Sequence, residues 1–288
     1  MKQARSLLSN ASNPDARFDS LCLAEKAFAL DKTRLRLHAD RIIDPTQYFA
    51  LVSRRVAGEP LQYILGEWEF YGLRFRVGPG VLIPRPETEL LVELALDFLH
   101  DCRGGLQATR LINIFDLCAG SGCVGLSIAH HCPSAQVHLL EISPEALPYL
   151  RENAKNYPNA HVHEADIFNA KCFMLNAQLI LANPPYIKSA EIPQLSREVR
   201  HEPRLALDGG ADGLDFYRAL ATSWLPTLTP GGMLAAECGD GQAEDVAEIF
   251  AKPPASEGGS DSAESRGVYK TEIHRDFNGI ERIVVATP

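Results

Sequence analysis

An apolar run, Leu111–Leu117, passes directly into Cys118-Ala119-Gly120-Ser121-Gly122-Cys123-Val124-Gly125. A strand that ends in closely spaced glycines must turn sharply, because residues without a Cβ let the backbone bend and come close to a ligand. If a helix follows, its first amides are free to meet whatever docks at the turn. The chain after this point repeats the theme. Candidate strands Gln136–Ile142, His161–Asp166, Gln178–Ala182 and Met233–Cys238 alternate with helical stretches, the pattern of a mostly parallel sheet covered on both faces. Thr271–Arg275 and Arg282–Ala286 complete seven strands. Only a few residues around Phe277-Asn278-Gly279 separate these two, too few for a helical crossover, so they form an antiparallel hairpin at one end of the sheet. Ser143-Pro144-Glu145 opens a helix after the second strand, with Ser as cap and Pro in the first turn.

Upstream of the sheet the period differs. Leu21, Ala24, Phe28 and Leu35 recur at helical spacing in the first 65 or so residues. Asp44-Pro45-Thr46-Gln47 starts a further helix, with Asp44 accepting from orphan amides and Gln47 placed for a capping box; Phe49, Val52 and Val56 face inward before Gly58. From Glu67 to Val81 the period becomes two, with Trp68, Phe70, Leu73, Phe75 and Val77 alternating around Tyr71-Gly72 as in a hairpin. Ile83-Pro84-Arg85-Pro86-Glu87-Thr88-Glu89 then leads into a helix rich in leucine. The expected organisation is an α/β protein with a helical domain at 1–66, a β-hairpin linker at 67–86 and a seven-stranded Rossmann-like domain at 87–288. Lys252–Gly267, rich in Pro, Ser, Gly and acid, reads as a mobile surface loop.

Two features point to a ligand at the glycine turn. Gly120, Gly122 and Gly125 fit the dinucleotide pattern, which alone is a weak signal. Glu141 lies 21 residues beyond Gly120, at the end of the second strand, where a carboxylate can accept from adjacent ribose hydroxyls. Any adenosine-containing ligand suits this pair, and both a nicotinamide dinucleotide and S-adenosylmethionine remain open on it.

The tetrapeptide Asn183-Pro184-Pro185-Tyr186 separates them. It follows Leu179-Ile180-Leu181-Ala182, and two successive prolines end a strand because neither can donate to the ladder. That puts it where ligands sit in open α/β sheets, outside the strand C-termini. The Asn183 side-chain oxygen and the Pro184 carbonyl can each accept one hydrogen of a planar NH₂ group. Its reluctant lone pair then aims at an electrophilic methyl, and Tyr186 can pack on the acceptor's flat face. A dehydrogenase has no use for this arrangement.

Charge excludes other classes. With 28 Lys and Arg against 37 Asp and Glu the net charge is −9, which argues against binding nucleic acid by counterion release. The seven cysteines include no Cys-x-x-Cys pair, so no structural zinc is expected and the thiols read as reduced. No stretch approaches the ~18 apolar residues of a membrane span. The expected protein is a cytoplasmic monomer without metal or membrane attachment.

Taken together, the glycine turn, the acid ending strand two and Asn-Pro-Pro-Tyr resemble class I S-adenosylmethionine-dependent methyltransferases that act on amino nitrogens. The wider resemblance is to the HemK/PrmC family, the release factor glutamine methyltransferases. Gly58-Glu59-Pro60-Leu61-Gln62-Tyr63-Ile64-Leu65-Gly66, the Ile83–Glu89 segment, Val199-Arg200-His201-Glu202-Pro203 and Asn278-Gly279-Ile280-Glu281-Arg282 carry it, from about residue 20 almost to the end. The resemblance implies a helical domain that recognises class I peptide chain release factors, and methyl transfer to the Gln amide of their Gly-Gly-Gln loop, with S-adenosylhomocysteine as product. It implies that Cys118, Ala119, Gly120, Ser121, Gly122 and Glu141 hold the cofactor, bordered by Asn183. Asp166 would accept from the adenine amine and Ile167 pack on the ring. Asn183, Pro184, Pro185 and Tyr186 would hold the glutamine. Cys118 stands where the family usually has Gly, so that backbone position must tolerate a Cβ. A sister enzyme acting on a ribosomal-protein glutamine shares the tetrapeptide, but its linker usually reads Ile-Pro-Arg-Ser-Pro, unlike Arg85-Pro86-Glu87 here. A DNA adenine methyltransferase would need a basic groove and a way of flipping the base.

Overall fold

In the computed structural model, residues 1–37, 44–105, 112–172, 176–253 and 268–288 are described. Leu111, the first residue of the expected first sheet strand, and most of the Lys252–Gly267 segment lie outside them.

Helices α1 (Lys2–Asn10), α2 (Ala16–Phe28), α3 (Lys32–Leu37), α4 (Thr46–Val56) and α5 (Leu61–Leu65) come first. They enclose a cluster of their own that includes Leu8, Leu23, Ala24, Tyr48, Val52 and Ile64. Asp44 accepts from the Thr46 amide at 2.9 Å, just ahead of a helix that begins one residue later than expected, with Pro45 rather than Asp44 at its N-cap. The inward stripe of α4 is rotated from the expected one. Tyr48, Leu51, Val52 and Arg55 are buried, whereas Phe49 and Val56 sit at its margin. Arg55 is drawn in because its guanidinium meets Asp19 of α2 and Glu198 at 2.6 Å each.

Strands β1 (Glu67–Phe70) and β2 (Leu73–Arg76) form the antiparallel hairpin, with Phe70 opposite Leu73. Both loop residues have positive φ, Tyr71 at 49° and Gly72 at 72°, as a two-residue turn matching strand twist demands. Phe70 and Phe75 pack into the core of the main sheet, so the hairpin is built onto its helices.

That sheet contains β3 (Ile112–Leu117), β4 (Ala135–Glu141), β5 (Ala160–Glu164), β6 (Ala177–Ala182), β7 (Leu228–Glu237), β8 (Lys270–Arg275) and β9 (Glu281–Thr287). Their order is β5-β4-β3-β6-β7-β9-β8. The first five are parallel; β9 runs antiparallel to both β7 and β8, so the closing hairpin sits at one end with β8 at the edge. Strand β7 begins five residues before the expected start, at Leu228. Pro230, Gly231 and Gly232 hid this in the sequence, and the pairing with β6 shifts register beside them. Alternate residues feed opposite faces. Ile114, Leu179 and Leu181 meet α6 (Glu89–Gly105), α7 (Cys123–His131) and α8 (Leu147–Ala154); Phe115, Ile180 and Ala182 meet α9 (Asp215–Ala219), Trp224 and α10 (Ala243–Ala251). Covered on both sides, β6 is buried throughout, which is why it reads as an unbroken apolar run. Among the described residues no helix is long and apolar enough to cross a membrane.

Candidate active site

The sheet order reverses at β3, whose neighbours β4 and β6 carry their connections away in opposite directions, and this opens a crevice at the C-terminal ends of the strands. The glycine turn leaves β3 there. Cys118 adopts φ of 62°, a left-handed conformation that favours glycine, so the backbone accommodates a Cβ at the position where the resemblance implied glycine. Ala119 donates to the Leu140 carbonyl at 2.9 Å, binding the turn to β4. Gly122 caps α7 with φ of 80°. Gly125 has a different reason to be glycine: a Cβ there would lie 2.3 Å from Leu139 and 2.8 Å from the Asp116 carboxylate. Instead its amide donates to Asp116 at 2.8 Å, closing helix against strand. Burial pushes the Asp116 carboxyl up to about 7.

Glu141 reaches the turn from the end of β4. One carboxylate oxygen accepts from the Gly120 amide at 2.8 Å and the other from the Ser143 amide at 2.7 Å. Ser143 in turn caps the entry to α8, its Oγ accepting from Ala146. The side chain is only 8% exposed, yet it lines the cleft. Each oxygen keeps a lone pair for a further donor. The same cleft is lined by Gly80, Val81 and Leu82, which follow the β1–β2 hairpin, and by Cys118, Gly120, Asp166, Ile167, Asn183 and Pro185. Asp166 is exposed, while Ile167 is buried, with its carbonyl accepting from the Trp224 indole at 2.8 Å. Ala119 and Ser121 line the adjoining space beside Pro84, Arg85 and Thr88, again with Asn183.

The tetrapeptide is divided. Asn183 and Pro185 face the cleft and Pro184 is buried. Tyr186 lines the neighbouring groove, whose other walls include Lys188, Asp212, Arg218, Asp240 and Gln242. The Gln242 amide donates to the Tyr186 carbonyl at 3.0 Å and its oxygen accepts from Gly239 at 2.9 Å, stapling the segment to the end of β7. Gly213 sits so close that a Cβ would fall 2.4 Å from that same carbonyl. Burial raises the Tyr186 phenol well above its ordinary value, so it stays neutral.

Several residues around the site carried no role in the sequence reading. Ile142, half exposed, follows Glu141 into the cleft. Asn153 of α8 donates to the Ser121 carbonyl at 2.9 Å and exchanges two hydrogen bonds with Arg76 of β2, joining the hairpin to the glycine turn. The quoted motifs also meet one another. Tyr63 donates to the Val81 carbonyl at 2.7 Å. The Glu202 carboxylate accepts from the Ile83 amide at 2.9 Å and pairs with Arg85. Thr88 donates to Glu237 at 2.6 Å, and the Asn183 side-chain amide donates to Thr88 at 3.1 Å. The motif positions were legible; what they touch was not. Among the described residues, no group of three or more His, Cys, Asp or Glu is arranged to hold a metal ion.

Comparison with known proteins agrees with this architecture. Residues 1–66 match a family model described as the PrmC N-terminal domain, and residues 104–209 one described as the methyltransferase small domain. A release factor glutamine methyltransferase from Geobacter sulfurreducens is 38% identical, over 97% of this chain and 92% of its own. Proteins of the same description from Bradyrhizobium diazoefficiens (40%, over 84% and 82%) and Streptomyces coelicolor (34%, over 99% and 95%) are also similar. Among solved structures, the hMettl16 catalytic domain in complex with a 3′UTR hairpin shares the fold, with a TM-score of 0.53 over 82% of this chain and 81% of that one at 12% identity. The chain belongs to the release factor glutamine methyltransferase family.

Proposed function

We propose that the protein transfers a methyl group from S-adenosylmethionine to the side-chain amide nitrogen of the glutamine in the Gly-Gly-Gln loop of class I peptide chain release factors, with S-adenosylhomocysteine as product. The observation that carries this reading is that Gly120 of the glycine turn, Glu141 at the end of β4 and Asn183 of the tetrapeptide line one cleft at the sheet's reversal. The names of the similar proteins support the substrate class.

The donor set fits the cofactor. Glu141 has lone pairs left for ribose hydroxyls, and Ile142, Ile167 and Val81 give the cleft apolar wall beside the exposed carboxylate of Asp166. Cys118 to Gly122, Glu141, Asp166 and Ile167 would hold it, with Asn183 at its border. When bound, it supplies an electrophilic sulfonium methyl.

The remaining work falls to the tetrapeptide. Asn183 Oδ1 and the Pro184 carbonyl accept the two hydrogens of the substrate amide and Pro185 shapes the wall, while Tyr186 offers its ring from the neighbouring groove, the side from which the glutamine would then enter. No strong base is required, since the surplus proton can leave after transfer. Catalysis then rests on positioning, which can contribute up to ~7–11 kcal/mol when reacting atoms are aligned. We assign release factor recognition to the helical domain at 1–66, with 67–86 as linker and 87–288 as the catalytic domain. The net charge of −9 favours a protein over a nucleic acid as acceptor. Incubation with labelled S-adenosylmethionine and a release factor, followed by mapping of the modified residue, tests this. Label on the Gly-Gly-Gln glutamine is expected, and Asn183→Ala should abolish transfer while leaving cofactor affinity within about threefold. Normal transfer by that variant would refute the role given to Asn183.

A further inference from the structure

The Asn183 amide has two edges, a carbonyl oxygen and an NH₂ group, and only the oxygen suits a substrate NH₂. A rotation of 180° about its last bond would set donor against donor. What prevents that rotation is visible in a chain of hydrogen bonds from three separate elements. Asn183 Nδ2 donates to Thr88 Oγ1 at 3.1 Å, and Thr88 Oγ1 donates to Glu237 Oε2 at 2.6 Å. Thr88 and Glu237 are each 2% exposed, so water does not compete at that end of the chain.

The direction of the chain follows from charge. An ionised carboxylate only accepts, so Thr88 must give it its proton and has only a lone pair for Asn183, which must then present N–H. The Asn183 oxygen, on the opposite edge, is left for the cleft. A protonated Glu237 can donate instead, and Thr88 can then turn its hydroxyl to Asn183 Oδ1 and consume the atom meant for the substrate. We propose that Thr88 and Glu237 form a positioning relay that fixes which edge of the Asn183 amide is offered to the substrate, and that the charge on Glu237 sets the relay's direction. The inference rests on the role given to Asn183 in the proposed function.

The surroundings put the switch within reach of ordinary pH. Burial pushes the Glu237 carboxyl up to about 7, against the pull of Thr88 and of the cations Arg282 on β9 and Arg85, which precedes the short helical turn Pro86–Thr88; Glu87 pushes it further up. The other titratable groups facing it, Tyr186, Tyr217, Cys123 and Cys238, are all held neutral by burial. The ionised, productive direction therefore prevails above about pH 7 and is lost as the pH falls through that value.

Thr88→Val keeps the shape and removes the hydroxyl; Thr88→Ser keeps the hydroxyl. With a release factor as substrate, Thr88→Val should lower kcat about tenfold or more, the loss of one buried hydrogen bond, while the affinity for S-adenosylhomocysteine stays within about twofold. Thr88→Ser should recover to within about threefold of wild type. Glu237→Gln, which cannot change charge, should erase the acid limb of kcat centred near pH 7. In the ligand-free protein, the NMR shifts of the Asn183 side-chain amide should follow the Glu237 titration in the wild type, and in neither Thr88→Val nor Glu237→Gln. A Thr88→Val enzyme with wild-type kcat overturns the relay. Should that variant not fold, an acid limb unchanged in Glu237→Gln overturns it equally. Methylation of the release factor glutamine with an Asn183 amide indifferent to both residues defeats the relay alone. An amide that follows Glu237 in a protein that methylates no release factor defeats the proposed function alone.

Discussion

At Cys118 a side chain occupies backbone space that glycine holds most cheaply. Its φ of 62° is reached because Ala119 is bound to β4 and Gly120 to Glu141 on either side of the bend. A left-handed residue with a Cβ costs roughly 1–2 kcal/mol, and β-branching makes it worse. Cys118→Gly should therefore leave the unfolding free energy from urea denaturation within about 1 kcal/mol of wild type, strain relief offsetting lost packing and greater freedom of the unfolded chain, whereas Cys118→Val should cost about 2 kcal/mol or more. Equal effects of the two substitutions would contradict a conformational origin. Glu141 carries a double duty, holding two backbone amides and facing the cleft. Glu141→Ala is expected to weaken S-adenosylmethionine binding at least about tenfold by calorimetry, since removing a carboxylate partner costs about 1.5–3 kcal/mol. An unchanged dissociation constant would remove it from the cofactor site.

Between elements, the critical approach is that of α7 to β3 and β4. Gly125 lets the helix descend until its amide meets Asp116, with Leu139 packed where a Cβ would lie. Gly125→Ala forces apart the elements that shape the glycine turn. The expected cost is about 1–3 kcal/mol of stability, the range for overpacking a close-packed core, together with weaker cofactor binding. Thermal melting with and without S-adenosylhomocysteine measures both, and a variant as stable as wild type would show that the helix can shift freely. Asn153 does comparable work at longer range, because one amide holds β2 of the hairpin and the carbonyl of Ser121 together.

For the molecule as a whole, the buried carboxyls shape how stability depends on pH. Asp116 and Glu237 are both pushed up to about 7 by burial. The native state thus keeps protons that the unfolded chain releases near pH 4, and stability from these groups falls as the pH rises from about 4 to about 7. Asn at 116 can still accept from Gly125 but does not titrate. Asp116→Asn should accordingly gain stability relative to wild type between pH 5 and pH 7 and level off near pH 8. Urea denaturation at several pH values tests the sign; a difference that does not vary with pH would place the titration elsewhere.

Local order needed nothing beyond the chain itself. Periods of two and of 3.6 are written by neighbours, so the strands, the hairpin around Tyr71-Gly72 and the closing β8–β9 hairpin could be read directly. Glu141 and Asn183 could be placed at strand ends for the same reason, because an apolar run that stops at a carboxylate or at two prolines names its own terminus. Reading failed where local signals conflicted with the sheet, as in Leu228–Gly232, where breakers lie inside a strand that pairing nevertheless extends. It was silent on partners far apart in sequence. Thr88 meets Glu237 across 149 residues and Asn183 across 95, and Arg85 meets Glu202 across 117. Such contacts exist only because seven strands stack in one order and bring their C-terminal ends to a common crevice. A side chain's chemistry is a property of its residue, but which atom of it is free to act depends on neighbours that folding alone supplies.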